Sequence, residues 1–243
     1  MSFKFYRYFN QKFFSLIFNL FSKVAHDQKN FKTYGKKHGK YFLPDLKDEK
    51  KKQWIISAGV GDDISFDIDM LNLGYNLIFI DPTPLAVKYF KKNFNYNLYD
   101  KRFIFYEKGL WNEKTIINFY SSDSKADINS DEYIISNTIS NYNKSKNSIK
   151  IETTTISEIM RENKIEFFFL IKLDIEGSEL EVIDYIYKKN IKPNYLLIEF
   201  DFLKQQSPLK AIKNLFFVLK RLKKLEFKII YIDNLNFTFK RKI

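Results

Sequence analysis

"IISAGVGDDISFDIDM", residues 55–70, decides how the chain is read. An apolar run ends at Ser57, glycines follow at 59 and 61, and an acidic, amphipathic stretch takes over. The chain holds only 7 glycines in 243 residues, so two of them one residue apart mark a constrained turn. A turn without Cβ atoms can be tight, and a ligand can lie directly against its backbone. "WIISA" (54–58) reads as a buried strand and Asp62–Leu73 as a helix ending at Gly74, so the glycines sit where strand becomes helix.

Outward from there the signals keep alternating. "NLIFID" (76–81) is a second strand, and Thr83 and Pro84 open a helix, one as cap and the other where no N–H is needed. "RFIFYE" (102–107) is a third strand and "TIINFYSS" (115–122) an additional one. "EFFFLIKLD" (166–174) is the most apolar strand and suits the middle of a parallel sheet covered on both faces. A helix from about 178 to 189 and the strand "NYLLIEF" (194–200) follow. Thr155 and Glu158 have capping-box spacing, Ser207 and Pro208 start an amphipathic helix, and "EFKIIYID" and "NFTFKR" form a closing hairpin at Asn234. The fold class is α/β, a parallel sheet with helices on both faces. Residues 121–148, rich in Ser, Asn, Asp and Lys, read as a long loop of the kind compact domains keep for function, here an acceptor lid.

Composition narrows the function. A chain of 243 residues, 45% hydrophobic and 18% aromatic, buries one substantial core and is not disordered. Cysteine is absent, so disulfides and thiolate metal sites are excluded. The net charge of +12 is uneven: residues 1–43 carry nine Lys/Arg against one acid, residues 208–243 carry ten against two, and the centre is left at −4. A nucleic-acid groove through the centre is not expected, and only 5 of 41 basic residues are Arg, the usual reader of phosphates and bases. Anionic lipid or an acidic partner suits the basic ends.

Residues 1–33 form a basic, aromatic extension before a domain at 34–243. Within it Phe5, Phe9, Phe13, Leu16, Leu20 and Val24 recur at helical spacing, and the near-apolar run 13–21 is too short to span a bilayer. One reading packs this helix on the domain or on a second subunit. The other lays residues 1–24 on a membrane surface. The expected location is cytoplasmic, at the inner face of the membrane under the second reading. The residues set no oligomeric state.

In a doubly wound sheet, ligands bind beyond the carboxyl ends of the strands. Asp81 ends the second strand, 22 residues after Gly59, where an acidic side chain would accept hydrogen bonds from ribose hydroxyls. A dinucleotide would require a third glycine, but Asp62 and Asp63 occupy the place of its diphosphate. S-adenosylmethionine has no phosphate and presents an ammonium and a sulfonium, for which nearby acids are an asset. At the far side, Asp174 and Glu176 leave the central strand in "LIKLDIEGSELEVID" (170–184), and Glu199 and Asp201 end its neighbour. Four such carboxylates suit a cation, a hydroxyl-bearing substrate or a hard, oxygen-ligated ion; no metal is assigned. Without a ligand, the same residues read as a glycine turn with helix-dipole aspartates, a helix cap and a solvated loop acid. His26 and His38 precede the first strand of the sheet, and no catalytic role is assigned to them.

"SAGVGDDISFD", "FIDPTP", "KGLW", "LIKLDIEGSELEVID", "LLIEF" and "FTFKR", in this order, resemble FkbM-type S-adenosylmethionine-dependent methyltransferases over residues 34 to 241. "YGKKHGKYFLPD" (34–45) is similar to the segment preceding their first strand. The resemblance implies a Rossmann-like class I fold, a mostly parallel seven-stranded sheet with an antiparallel last strand, behind the N-terminal helix. It also implies O-methyl transfer to a sugar or other hydroxylated intermediate, as in polysaccharide biosynthesis. Carried over by position, Ser57, Gly59, Val60 and Gly61 would meet the methionine part of the cofactor, and Asp81 with Pro82 its ribose. Glu107, Gly109 and Leu110 would approach the adenine. Ser57 stands where many methyltransferases have an acid, which passes the amino-acid end to Asp62 or Asp63. Asp174 and Glu176 would face the reacting end, either one taking the acceptor proton, with Glu199 and Asp201 orienting hydroxyls. The rivals are an RNA or other non-sugar methyltransferase, a nicotinamide oxidoreductase and a membrane adaptor.

Overall fold

The computed structural model describes residues 8, 10, 12–14, 16–17, 31–47, 49, 52–99, 101–121, 137–138 and 148–242. A short antiparallel hairpin, β1 (Phe31–Tyr34) and β2 (Tyr41–Pro44), comes first. The main sheet begins with β3 (Trp54–Ala58), α1 (Ser65–Asn72), β4 (Asn76–Ile80), α2 (Pro84–Asn93) and β5 (Phe103–Tyr106). A second sheet follows, from β6 (Gly109–Leu110), β7 (Ile116–Ser121), β8 (Asn137–Thr138) and β9 (Ser148–Thr154). After α3 (Ile156–Asn163) come β10 (Phe168–Leu173), α4 (Glu179–Lys188), β11 (Tyr195–Glu199) and the short α5 (Phe202–Gln205). The chain closes with α6 (Pro208–Lys224), β12 (Phe227–Asp233) and β13 (Asn236–Arg241).

The main sheet has the order β12-β13-β11-β10-β3-β4-β5. The pairs β3–β4, β4–β5, β3–β10 and β10–β11 are parallel, whereas β13 runs against both β11 and β12. Only the last strand is therefore reversed, as expected. Strand order switches direction between β3 and β10, which opens a crevice at their carboxyl ends.

Alternating strand residues feed two cores. Ile56, Ala58, Ile171 and Leu173 pack with Val182, Ile183, Val218 and Leu222 on one face. Ile55, Leu77, Phe79 and Leu170 pack with Phe66, Met70 and Phe90 on the other. Such two-sided burial explains why β10 reads as a continuous apolar run. The N-terminal positions described are helical; Phe14 enters the first core, and the Asn10 amide donates to the Gln206 carbonyl at 2.8 Å. Phe5, Phe9, Leu20 and Val24 lie outside the described residues.

Several local expectations shift. The first helix starts at Ser65, not Asp62, because Gly59 and Gly61 at φ +82° and +56° carry the chain through a turn first. Thr83 caps α2, accepting from Ala86 N with Pro84 in the first turn. Half of the expected box at α3 forms: Thr155 accepts from Glu158 N, while the Glu158 carboxylate meets Arg161 and Lys114. Ser207 holds the cap position of α6 without a side-chain bond. The expected lid lies outside the described residues except Ser121, Asn137–Thr138 and Ser148, which belong to the second sheet.

Candidate active site

A cavity of about 460 Å³ opens at the carboxyl ends of β3, β4, β10 and β11, a size ordinary for small-molecule sites. Its first wall is the bend after β3. A Cβ on Gly59 would lie 1.6 Å from the Asp174 carbonyl oxygen, so glycine is there because the end of β10 runs against it. A Cβ on Gly61 would meet nothing within 4 Å. The first glycine serves the sheet; the second leaves open space beside the cavity.

Asp81 holds the bend in shape. Its Oδ2 accepts from Val60 N at 2.8 Å and Gly61 N at 3.0 Å, and its Oδ1 from Thr83 N at 2.8 Å and Thr83 Oγ1 at 2.6 Å. A ribose diol reaching Asp81 would share oxygens already in four hydrogen bonds. The β1–β2 hairpin closes over the same bend. Gly35 N, Lys36 N and Gly39 N donate to Asp69, Ser65 and Asp63 at 2.7, 2.6 and 3.1 Å. Asp63 also accepts from Ser65 N at 2.9 Å, so its carboxylate serves backbone amides, while Asp62 is exposed at the rim.

Beneath the bend lies Lys172, a buried cation inside the most apolar strand. Its Nζ donates to the Gly59 carbonyl at 2.6 Å, stands 3.8 Å from Asp174 Oδ2 and lies 5.5 Å from the centre of the Tyr41 ring. Tyr41 donates its hydroxyl to Asp174 Oδ2 at 3.1 Å. Burial, reinforced by the Asp174 charge, raises the Tyr41 pKa well above 10, so the phenol stays a donor. From α1, buried Asp67 is pushed up to about 6 by desolvation, against the pull of Lys172. One cation thus ties the glycine bend to the carboxylate at the end of β10. Neither Lys172 nor Tyr41 was expected at the site; a lone lysine in "FFFLIKL" was the available signal.

The adjoining wall is acidic. Asp174, Glu176 and Glu199 line the cavity, with Glu176 in the left-handed region at φ +48°. Glu199 is pushed up to about 8, first by burial, then by the charges of Asp201 and Asp174, against Lys204. Lys204 pairs with Glu199 and stands 2.5 Å from Asp201. Burial opposes the ammonium, but Asp201, Glu199 and Glu176 outweigh it and raise its pKa well above the usual lysine value. Glu179, fully buried, is raised by desolvation and then by Asp201, while accepting from Gly177 N at 2.7 Å.

Of the expected residues, Gly59, Val60, Gly61, Asp62, Asp63, Asp81, Pro82, Gly109, Leu110, Asp174, Glu176 and Glu199 line this one cavity. Three do not. Ser57 is buried within β3; Glu107 is exposed, drawn to Lys91 at 3.0 Å; Asp201 is fully buried beneath Lys204. Phe119 and Ile151, from the second sheet, add an unexpected apolar wall. Among the described residues, no three His, Asp or Glu converge as a metal site.

The family described as "Methyltransferase FkbM domain" matches residues 23–229. No curated protein matches the chain. Among solved structures the chain is similar to a TehB-like SAM-dependent methyltransferase from Corynebacterium glutamicum, at 11% identity over 79% of this chain and 82% of that one, TM-score 0.35. It is similar to a fibrillarin pre-rRNA processing protein from Methanococcus jannaschii, at 11% identity over 89% and 85% of the two chains, TM-score 0.41. A tRNA (uracil-54, C5)-methyltransferase from Pyrococcus abyssi, in complex with S-adenosyl-L-homocysteine, is 11% identical over 87% of this chain and 43% of that one, TM-score 0.34.

Proposed function

The chain belongs to the FkbM methyltransferase family and is an S-adenosylmethionine-dependent methyltransferase; from that premise we propose that it methylates a hydroxyl of a sugar or glycan-related intermediate. One observation carries this reading: Gly61, with open space where a Cβ would be, lines the same cavity as Asp174, Glu176 and Glu199. An acidic wall suits a cationic donor and a polyhydroxylated acceptor.

Val60 and Gly61 would lie against the methionine part, Asp62 and Asp63 near its ammonium, and Asp81 with Pro82 at the ribose. Gly109 and Leu110, with Phe119 and Ile151, would form the apolar slot for the adenine. When bound, the cofactor supplies a methyl group on an activated sulfonium. The chain's own work is to align the acceptor oxygen, exclude water and remove its proton. Asp174 accepts from the Tyr41 hydroxyl at 3.1 Å and stands 3.8 Å from the Lys172 ammonium, which fixes its orientation at the cavity. That suits Asp174, with Glu176, to orient the acceptor. Glu199, titrating near 8 at the same cavity, is matched to taking the proton.

Calorimetry with S-adenosylmethionine against NAD(H), followed by methyl transfer into nucleotide sugars and glycan fragments, tests the reading. We expect binding of the first alone, and Glu199→Gln to lower turnover while cofactor affinity holds. Methyl transfer to RNA in preference to every sugar would overturn the acceptor class.

A further inference from the structure

We propose that the outward face of α6 docks on an anionic lipid surface. Leu209, Ile212 and Phe216, at the spacing of one helix face, are 85%, 36% and 70% exposed, and the adjacent Phe217 is 41% exposed. The opposite face, Ala211, Val218 and Leu222, is buried in the core. The helix therefore has apolar residues on both sides, and among the described residues only one side is covered. Scattered exposed apolar residues are ordinary; a stripe along one helix is not.

Charge identifies what the stripe fits. Lys210, Lys213, Lys220, Lys223 and Lys224 are all exposed around it, and Pro208–Lys224 contains no acid. The groups able to make directional contacts are already engaged. Asn214 donates to the Gln206 side chain at 2.6 Å, and Arg221 donates to Asp184 at 2.6 Å while stacking on Phe217. What faces outward is aliphatic and aromatic surface fringed by ammonium groups on flexible stems, which recognise diffuse negative charge over an apolar interior. A second copy meeting this face would set lysine against lysine. A nucleic acid would call for arginine and hydrogen-bonding side chains.

The second basic end of the chain meets the first here. The bond from Asn10 to Gln206 fastens the helical N-terminal positions to the start of α6, and Leu16 among them is 66% exposed. Glu199, on the cavity, is nine residues before Pro208, so α6 begins at the carboxyl edge of the sheet, the edge that carries the site. Docking would hold that edge near the bilayer. This face is independent of the acceptor's identity, and cofactor binding in solution reports separately on the enzymatic reading.

Co-sedimentation of the full chain with vesicles tests it, using phosphatidylcholine alone against an equal mixture with phosphatidylglycerol. Binding is expected to the mixture only and to weaken with salt. Leu209→Ser with Phe216→Ser should weaken it at least tenfold, and Lys213→Glu, Lys220→Glu and Lys223→Glu together by roughly a hundredfold, at about fivefold per lost lysine. These side chains are exposed, so S-adenosylmethionine affinity should stay unchanged in both variants. A wild type that ignores anionic vesicles overturns the proposal. So does vesicle binding that both variants retain, or a self-association in solution that the Leu209/Phe216 variant abolishes.

Discussion

The bend at 59–61 and the cluster behind Glu199 meet one cavity and are held by different physics. The bend is built from backbone: positive φ at two glycines, a strand end pressed against the first, and two amides collected by Asp81. The cluster is built from charge: Glu199 and Asp201 sharing Lys204, with buried Glu179 beside them. Steric fit decides what the bend tolerates. Protonation state decides the cluster. The bend is therefore preorganised by its backbone, while the state of the cluster turns on Glu199, pushed up to about 8.

Removing the steric device should have the largest effect. Gly59→Ala drives a Cβ to 1.6 Å from a backbone carbonyl that the β3–β10 pairing holds in place. A loss above about 4 kcal/mol is expected, most of a marginal domain's stability, and should appear as a large fall in the melting midpoint by circular dichroism. A variant melting within a few degrees of wild type would break the distinction at its first half.

Removing the cation should rank next. Lys204→Met leaves Glu199 and Asp201 buried without their counter-ion, at a cost of about 3–5 kcal/mol. The pH dependence gives the sign. In the folded protein Glu199 is pushed up to about 8, above the ordinary glutamate value of 4.5. Its protonated form is thus favoured by folding, a contribution present below about 4.5 and lost as pH rises through 8. Without Lys204 that bias strengthens, so the variant's deficit in denaturant melts should shrink on acidification. A deficit constant from pH 5 to 9 would mean that packing, not charge, holds this wall.

Glu199→Gln probes the same wall through chemistry. Turnover should fall by about 10²-fold or more, the usual worth of a positioned base. The wild-type rise in rate toward pH 8 should disappear, and the KM for S-adenosylmethionine should stay put. If Asp174→Asn or Glu176→Gln removes the pH limb and Glu199→Gln leaves it, the proton goes to the β10 side instead.

The same contrast explains what was legible in the sequence. The seven strands, the closing hairpin and the bend all rest on local patterns: apolar period, turn residues, and glycine where few other residues fit. The side chains that went elsewhere were moved by partners no local pattern reveals. Glu107 turns to Lys91; Asp63 stays at the cavity but gives its carboxylate to Gly39 N, 24 residues before it. Asp201 was read as facing a substrate because "EFD" ends a strand, yet Lys204, three residues on, draws it under the surface. Lys172 was hidden for the opposite reason: its strand looks wholly apolar, and its acceptor, the Gly59 carbonyl, is 113 residues away. Phe119 and Ile151 reach the cavity only through the second sheet, whose pairing is long-range.

The smallest change in stability offers the sharpest test of the cofactor side. Gly61→Ala forces a non-glycine residue to φ +56° but meets no atom within 4 Å, so the fold should lose only about 1–2 kcal/mol. Were the bend merely a connection between strand and helix, that would be the whole effect. If the cofactor lies against Gly61, the added methyl occupies its place, and S-adenosylmethionine affinity should fall at least tenfold by calorimetry while the melting midpoint falls by only a few degrees. Gly59→Ala and Gly61→Ala then fail in opposite ways, one in the fold and one in the ligand. A Gly61→Ala protein that binds the cofactor as tightly as wild type would return both glycines to a structural role and leave the cavity's donor side unassigned.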